Sequence, residues 1–379
     1  MNPLCALILA LGLSFVAAPT LAASDPVFAA QKAADDLKAA TTALSDAREA
    51  GDRVAALSLA VKAYEDGLKA MRESLRKAAI REQALRLEFE SRRDRLSRLL
   101  GVLQTLQRVS SPLLLIHPSG PLGTARSGQV LADVTPALHA QAEELRAQLE
   151  ELLVLEALQT SAEEDLKQGL KGVQDARVAL SEAIGQRTNL PKRLASDPEA
   201  LKRLTENSDT LEGFAQGLAD LPFEGNIGKV GDFEDSKGKI PLPVFGSLLR
   251  AFNEADAAGL RRPGIVVSAP PVSLVTAPWP TTIRYRGPFL DYGNVIILEP
   301  EAGYLIVLAG LGQVYGEVGQ ILAAGDPVGL MGGTDPAAED FLVEAKQGSG
   351  EIRQETLYIE IRQGRTALDP LAWFALNDR

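Results

Sequence analysis

The feature that most constrains the fold is a run of apolar residues repeating every three or four positions through residues 57–106. Its members are Leu57, Val61, Tyr64, Leu68, Met71, Leu75, Ala78, Leu85, Phe89, Leu96, Leu99, Leu103 and Leu106. Only Glu82 and Arg92 interrupt it. A repeat of 3.5 residues keeps one seam of a helix facing a partner helix in a left-handed supercoil. The run therefore predicts a long coiled-coil helix.

A second apolar seam follows a segment rich in helix-breaking residues. The breakers are Pro112, Pro118, Gly120, Pro121, Gly123, Gly128 and Pro136, and the seam is Leu145, Leu149, Leu152, Leu155, Leu166, Leu170, Val173, Leu180 and Ile184. Two long helices around one break predict an antiparallel coiled-coil hairpin over residues 26–190, with its tip near 110–136. A parallel homodimer through either seam is the alternative.

The chain starts with an apolar stretch from Leu4 to Ala18, followed by small residues as far as Ala23. This pattern predicts a secretory signal peptide over residues 1–22, cleaved near Ala22, and therefore a periplasmic protein. An uncleaved anchor is the alternative. Cleavage would remove Cys5, the only cysteine of the chain.

The charge balance and the scarcity of metal-binding side chains exclude several classes of function. The chain has 39 Lys and Arg against 50 Asp and Glu, a formal net charge of -11. Nucleic-acid binding needs a basic surface, which this composition does not favour. His117 and His139 are the only histidines. A disulfide-stabilised fold and any site made of several imidazoles or thiolates are thus excluded.

Between the hairpin and the C-terminal part, a short amphipathic segment precedes a glycine-rich one. Residues 196–199 resemble a capped helix start with proline at the first helical position. The apolar stripe that follows is Leu201, Leu204, Leu211, Phe214 and Leu218. We therefore predict a regulatory helix within 191–221 that covers an apolar surface, followed by a flexible linker at 222–241.

From about Leu242 the helical periodicity ends and short β-branched runs separated by turn residues replace it. The clearest runs are 264–267, 295–298, 304–308 and 357–361. They predict a compact all-β domain over residues 242–379. The fold class is thus α plus all-β, with the long helical hairpin first and the antiparallel β domain after it.

Several motifs of this domain resemble, in order, those of LytM/lysostaphin-type zinc peptidases. They are Pro241-Leu242-Pro243-Val244-Phe245-Gly246, Ala269-Pro270-Pro271, Asp291-Tyr292-Gly293-Asn294-Val295-Ile296-Ile297, Gly325-Asp326-Pro327-Val328-Gly329, Leu357-Tyr358-Ile359-Glu360-Ile361-Arg362 and Asp369-Pro370-Leu371. With a coiled coil ahead of the domain, the whole chain resembles EnvC-like murein hydrolase activators.

The departures from the peptidase pattern bear on function. In active relatives, two zinc ligands come from His-x-Gly-Ile-Asp, where this chain has Arg262 and Val266. A third ligand and a catalytic histidine come from His-Leu-His, here Thr356-Leu357-Tyr358, and a further histidine aligns with Gly310. A catalytic zinc site needs about three N, S or O ligands and an open water position, but no histidine or cysteine follows residue 139. We therefore expect no catalysis, no metal and no cofactor.

Alternate residues of a strand share one face, so the surviving groove is expected to present Val266, Tyr358 and Arg362 to a protein partner. The competing interpretation is that Val266 and Tyr358 merely fill the core where the metal used to sit. An acidic insertion at 334–353 lies next to the former site in sequence. It is either part of the partner surface, a lid, or a tolerated loop.

The resemblance implies a non-catalytic activator of N-acetylmuramoyl-L-alanine amidases in septal peptidoglycan splitting. It also implies an FtsEX-type division complex as the partner of the coiled coil, and leaves direct peptidoglycan binding open. The alternative is a divergent murein metalloendopeptidase. A periplasmic adaptor is a third class, but adaptor hairpins usually lie within flanking β domains, whereas this one precedes a single β domain.

Overall fold

The computed structural model describes residues 26–47, 50–108, 120–187, 198–221, 232–334 and 354–375. The predicted signal peptide, Cys5, His117, residues 222–231 of the predicted linker and residues 335–353 of the acidic insertion lie outside these described residues.

The described residues of the N-terminal region form three helices: α1 (Pro26–Asp46), α2 (Ala50–Arg108) and α3 (Gly120–Gly185). Helix α1 packs on α2, which the seam analysis did not anticipate. Helices α2 and α3 are antiparallel, because Glu65 and Glu82 of α2 meet Arg177 and Gln159 of α3, respectively. None of the helices among the described residues is both long and apolar enough to cross a membrane.

The interruption between the two long helices is shorter than expected. We expected prolines and glycines to break the helix as far as residue 136, but α3 already begins at Gly120 and contains Pro136. Pro121 lies in the first turn, where a missing N–H costs nothing. Pro136 removes one backbone hydrogen bond, at a cost of about 3 kcal/mol or more, which a helix this long can tolerate.

The apolar seam is most deeply buried at the end of the hairpin that lies nearest the β domain. Val61 of α2 and Leu166 and Leu180 of α3 are fully buried, whereas Leu149, farther along the hairpin, is 47% exposed. Arg81 and Glu151 pair on the surface of that outer part. Apolar packing therefore contributes most at the base of the hairpin.

The segment predicted as one regulatory helix forms two, α4 (Pro198–Asn207) and α5 (Leu211–Asp220). Thr210 caps α5, its hydroxyl accepting a hydrogen bond from the amide of Gly213 at 3.1 Å. The two helices pack closely, since a β-carbon at Gly217 of α5 would collide with Leu204 of α4.

Residues 232–334 and 354–375 of the C-terminal region contain an antiparallel sheet of ten strands. They are β1 (Ser247–Arg250), β2 (Ile265–Ala269), β3 (Leu274–Thr276), β4 (Thr281–Pro288), β5 (Asn294–Glu299), β6 (Tyr304–Val314), β7 (Ile321–Leu322), β8 (Pro327–Met331), β9 (Glu355–Gln363) and β10 (Thr366–Leu368). The main order is β1-β2-β9-β6-β5-β4-β7, while β10 pairs with β9 and β8 pairs with β3 and β6. The four β-branched runs fall in β2, β5, β6 and β9, as predicted.

The sheet buries both of its faces. Alternate residues such as Val267, Ile296 and Ile306 join the inner core, while Val266 and Val307 on the opposite face pack under α5. The β domain also begins earlier than predicted. Phe233, placed in the linker by the sequence analysis, is fully buried in the inner core. Residues 232–241 thus belong to the domain.

The base of the helical hairpin rests against the β3 and β8 side of the sheet. Leu57, Val61 and Leu180 share an apolar cluster with residues of the domain, namely Leu274, Tyr315 and Leu330. One carboxylate oxygen of Glu65 accepts from Arg177 at 2.8 Å and from the amide of Leu274 at 3.0 Å. The helical region and the β domain are therefore in direct contact, on a side of the sheet away from α5.

Candidate functional site

The former ligand positions are brought together on the face of the sheet that α5 covers. In the strand register, Tyr358 of β9 lies opposite Val266 of β2 on one side and Ala309 of β6 on the other. Arg262 precedes β2, and its guanidinium lies 5.4 Å from the ring centre of Tyr292. The Tyr292 ring is in turn 6.3 Å from that of Tyr358. Three of the five predicted positions, Arg262, Val266 and Tyr358, thus share one site.

The other two positions contribute no side chain to the covered surface. Thr356 is exposed at the start of β9. Gly310 has φ +98°, and a β-carbon there would lie 2.5 Å from the carbonyl oxygen of Thr356. With this backbone, no side chain, and hence no histidine, fits at position 310.

A chain of hydrogen bonds runs along β9 from Tyr358 through Glu360 to Arg362. The Tyr358 hydroxyl donates to Glu360 at 2.7 Å, and Arg362 donates to the other oxygen of the same carboxylate. Arg362 also donates to the carbonyl of Arg365 at 2.8 Å. All three members of the chain are buried, and Arg362 has no exposed surface. Arg362 is therefore an internal partner of Glu360, not part of an open groove floor as we had expected.

Burial controls the protonation of this chain. Desolvation raises the pKa of the Tyr358 hydroxyl, and the neighbouring Glu360 carboxylate raises it further. Desolvation also raises the pKa of Glu360, although its hydrogen bond from Tyr358 and the positive charge of Arg362 oppose this. Tyr358 therefore stays neutral and acts as a hydrogen-bond donor.

A zinc ion does not fit the side chains at these positions. Arginine repels a cation, valine has no donor atom, and both oxygens of Glu360, two residues after Tyr358, are engaged by Tyr358 and Arg362. In the part of the chain that the structure describes, no three His, Cys, Asp or Glu side chains lie close enough to hold a metal. What the arrangement offers is an apolar surface with one buried polar chain.

Helix α5 occupies this surface with four buried side chains, Leu211, Phe214, Ala215 and Leu218. Phe214 is fully buried and packs edge-on against Tyr285 at 4.6 Å and parallel to Phe289 at 4.8 Å between ring centres. Because α5 covers it, Tyr358 is only 7% exposed. The predicted apolar stripe therefore has a definite counterpart, the outer face of β2, β9, β6, β5 and β4.

Residues of β4 and its following turn complete the site and were not predicted from the sequence. Tyr285 and Phe289 form the pocket for Phe214, and Arg284 forms a buried ion pair with Glu299 at 2.9 Å. The available signal was an arginine between Ile283 and Tyr285, in a β-branched and aromatic run typical of a strand. A charge at such a position requires a buried partner.

The β domain is similar to a known protein family. Residues 261–370 match Peptidase family M23. This segment contains the strands that carry Val266, Gly310 and Tyr358. The C-terminal part of the chain is therefore similar to M23 (LytM-type) domains, and a helical region precedes it.

The relatives found are distant and partial. An uncharacterized protein of Neisseria meningitidis is 25% identical over 152 residues, which cover 40% of this chain and 23% of the relative. An uncharacterized protein of Haemophilus influenzae is 27% identical over 138 residues, covering 36% and 30%. The chain thus spans less than a third of either relative. Among solved structures, a zinc-containing peptidase from Vibrio cholerae has a TM-score of 0.28 and 16% identity, covering 35% of this chain and 39% of that one.

Proposed function

We propose that the protein is a non-catalytic, periplasmic activator of a cell-wall N-acetylmuramoyl-L-alanine amidase that acts in septal peptidoglycan splitting. The M23 domain supports a role connected with peptidoglycan. The observation that carries the proposal is the pairing of an M23 domain whose ligand positions do not suit zinc with a helix, α5, that covers those positions. Such a surface can bind a protein but does not provide the groups for metal-assisted hydrolysis.

In this proposal the described conformation is the inactive one. Leu211, Phe214 and Leu218 cover the surface formed around Val266 and Tyr358, so an amidase reaches that surface only after α5 has left. Arg362 contributes indirectly, since it holds Glu360 and thereby the hydroxyl of Tyr358. Activation then requires a local opening, in which a short helix is released while the sheet remains folded.

The helical region is proposed to act as an antiparallel coiled coil that receives a signal from an FtsEX-type division complex. Its last described residue, Arg187, pairs with Asp326 of the β domain at 3.8 Å, and α4 begins at Pro198. The segment that leads to α5 therefore starts at a point fixed on the domain. A change in how the hairpin sits on the domain would alter the constraint on α4 and α5.

The test is a deletion of residues 198–221, compared with the intact protein and with a Gln216→Ala variant. Each is mixed with purified amidase, and dye release from labelled cell walls is measured. We expect the deletion to raise amidase activity severalfold above that given by the intact protein, because the covered surface becomes accessible. Gln216 bonds only within α5 to Glu212, so its variant should behave as the intact protein does. Unchanged or lower activity with the deletion would contradict the proposal.

The family match favours one competing function, a divergent murein metalloendopeptidase. The two proposals differ in what the protein does alone. We expect the purified protein to carry no stoichiometric zinc by elemental analysis and to release no dye without an amidase. Bound zinc at one per chain together with unaided digestion of cell walls would replace our proposal with the enzymatic one.

A further inference from the structure

Arg284, in the middle of β4, is a charged residue in an apolar environment. Only 3% of its side chain is exposed, and it donates to a carboxylate oxygen of Glu299 at 2.9 Å. Glu299 is 7% exposed on the neighbouring strand β5. A buried pair of this kind stabilises a fold only when further hydrogen bonds satisfy its remaining groups. The other contacts of Arg284 therefore decide whether this buried pair stabilises the fold.

The second terminal nitrogen of Arg284 contacts the end of α5. It donates to the carbonyl of Leu218 at 3.0 Å and to the carbonyl of Leu221 at 2.8 Å. The last four carbonyls of a helix lack N–H donors within the helix, and the partial negative charge there attracts a cation. The guanidinium of Arg284 thus binds the C-terminal end of α5, which lies on the sheet.

Two further arginines of the domain meet acidic side chains, one at each end of α5. Arg362 lies 3.8 Å from Glu212 in the first turn of α5, and Arg365 lies 3.0 Å from Asp220 in its last turn. Helix α5 contains no lysine or arginine. A helix lying the other way would direct its free N–H groups at Arg284, which is a donor as well. Reversal would therefore replace two attractive contacts with repulsion.

We propose that Arg284 is a specificity-determining residue that binds the C-terminal carbonyls of whichever helix occupies this site and so fixes that helix's direction. In the described conformation the occupant is α5. In the activated complex it is an acidic amphipathic helix of the partner, lying in the same direction; this second half rests on the proposed function. The Arg284–Glu299 pair is retained in the sheet because it presents donors to a helix end.

The first half is tested by hydrogen exchange on the full chain, independently of any amidase. The double variant Arg284→Met/Glu299→Met removes the guanidinium donors. Because Glu299 is replaced as well, no buried carboxylate loses its ion-pair partner. The matched control is Arg286→Met, on the same strand, whose exposed guanidinium bonds to the carbonyl of Gly316. We expect exchange of the α5 amides to rise on the order of tenfold to a hundredfold, because two charge-assisted hydrogen bonds are lost.

Amides of β5 and β6 should keep their protection in the double variant, and the control should match the wild type throughout. Unchanged exchange in α5 would overturn the assignment. If the double variant also raises amide exchange in β5 and β6, hydrogen exchange is measured on the single variant Arg284→Lys instead. It keeps a positive charge beside Glu299, but its single nitrogen cannot bond both Glu299 and the two carbonyls, as the two terminal nitrogens of Arg284 do. If the α5 amides of Arg284→Lys then exchange as fast as those of the wild type, the proposal is overturned. If exchange is faster in α5 alone, the proposal is supported.

The second half is tested by placing the same double substitution in the protein that lacks residues 198–221. If Arg284 also binds the partner's helix, amidase activation should fall at least about tenfold relative to the deletion alone. Equal activation by the two would overturn the partner half. If the deletion itself fails to activate, the proposed function fails, and the exchange measurement still decides the role of Arg284 towards α5.

Discussion

At the scale of single residues, the positions predicted as degenerate ligands do not suit zinc for two different reasons. At Val266 and Tyr358 the reason is the side chain, which can be read from the sequence. At Gly310 the backbone itself now excludes a side chain, with φ +98° and the Thr356 carbonyl beside it. Substituting single ligands back would therefore not restore a metal site. A carboxylate at 266 would still lack an imidazole at 310.

We predict that Gly310→Ala destabilises the protein by about 2–4 kcal/mol, from backbone strain together with overlap with the Thr356 carbonyl. The control is Gly303→Ala. Gly303 has a similar φ, +88°, but a β-carbon there meets nothing within 4 Å. Gly303→Ala should therefore lower the free energy of unfolding only by the backbone strain, about 1–2 kcal/mol. Urea unfolding of both variants gives the comparison, and equal costs would show that the contact at position 310 is unimportant.

At the scale of elements, α5 is the part of the molecule that decides whether the site is accessible. It has ten residues, too few for a stable helix in isolation, so its order depends on packing against the sheet. Phe214 makes the central contact, between the rings of Tyr285 and Phe289. The helix should therefore open as a unit when that contact is removed.

We predict that Phe214→Ala releases α5, because truncating a buried phenylalanine costs about 3–5 kcal/mol. Cleavage by a glutamate-specific protease after Glu212, within α5, measures this release, since a helix must open locally before it is cut. The cleavage rate should rise by at least about tenfold, while the thermal unfolding of the β domain stays unchanged. The same treatment of Gln216→Ala provides the control. A rate equal to that of the wild type would mean that α5 is held mainly by other contacts.

At the scale of the whole molecule, Glu65 connects the two regions. Its carboxylate joins α2 to α3 through Arg177 and to the β domain through the amide of Leu274. Desolvation raises the pKa of Glu65, although the positive charge of Arg177 opposes this; the adjacent Asp66 adds to the increase. The folded protein therefore holds this proton more tightly than the unfolded chain does.

The raised pKa of Glu65 predicts how the contact between Glu65 and the β domain responds to pH. Stability due to a raised carboxyl pKa is fully present below the ordinary value of 4.5 and is lost as the pH rises above it. The stability difference between wild type and Glu65→Gln should thus shift in favour of the variant between pH 5 and pH 7.5, as measured by urea unfolding. Glu360, whose pKa is also raised, is present in both proteins, so its effect cancels. A difference that shifts towards the wild type with rising pH would contradict the prediction.

The long helices and the strands β2, β5, β6 and β9 could be predicted from the sequence, and so could the absence of histidine and cysteine after residue 139. Each of these depends on local periodicity or on residue type at a motif position. The sequence also indicated that the stripe containing Phe214 must cover something. The identity of that surface, the burial of Arg362, the place of Phe233 in the core and the contact of Arg284 with the end of α5 are visible only in the folded protein. These facts depend on contacts between residues far apart in the chain, which arise when the sheet folds and which no local pattern records.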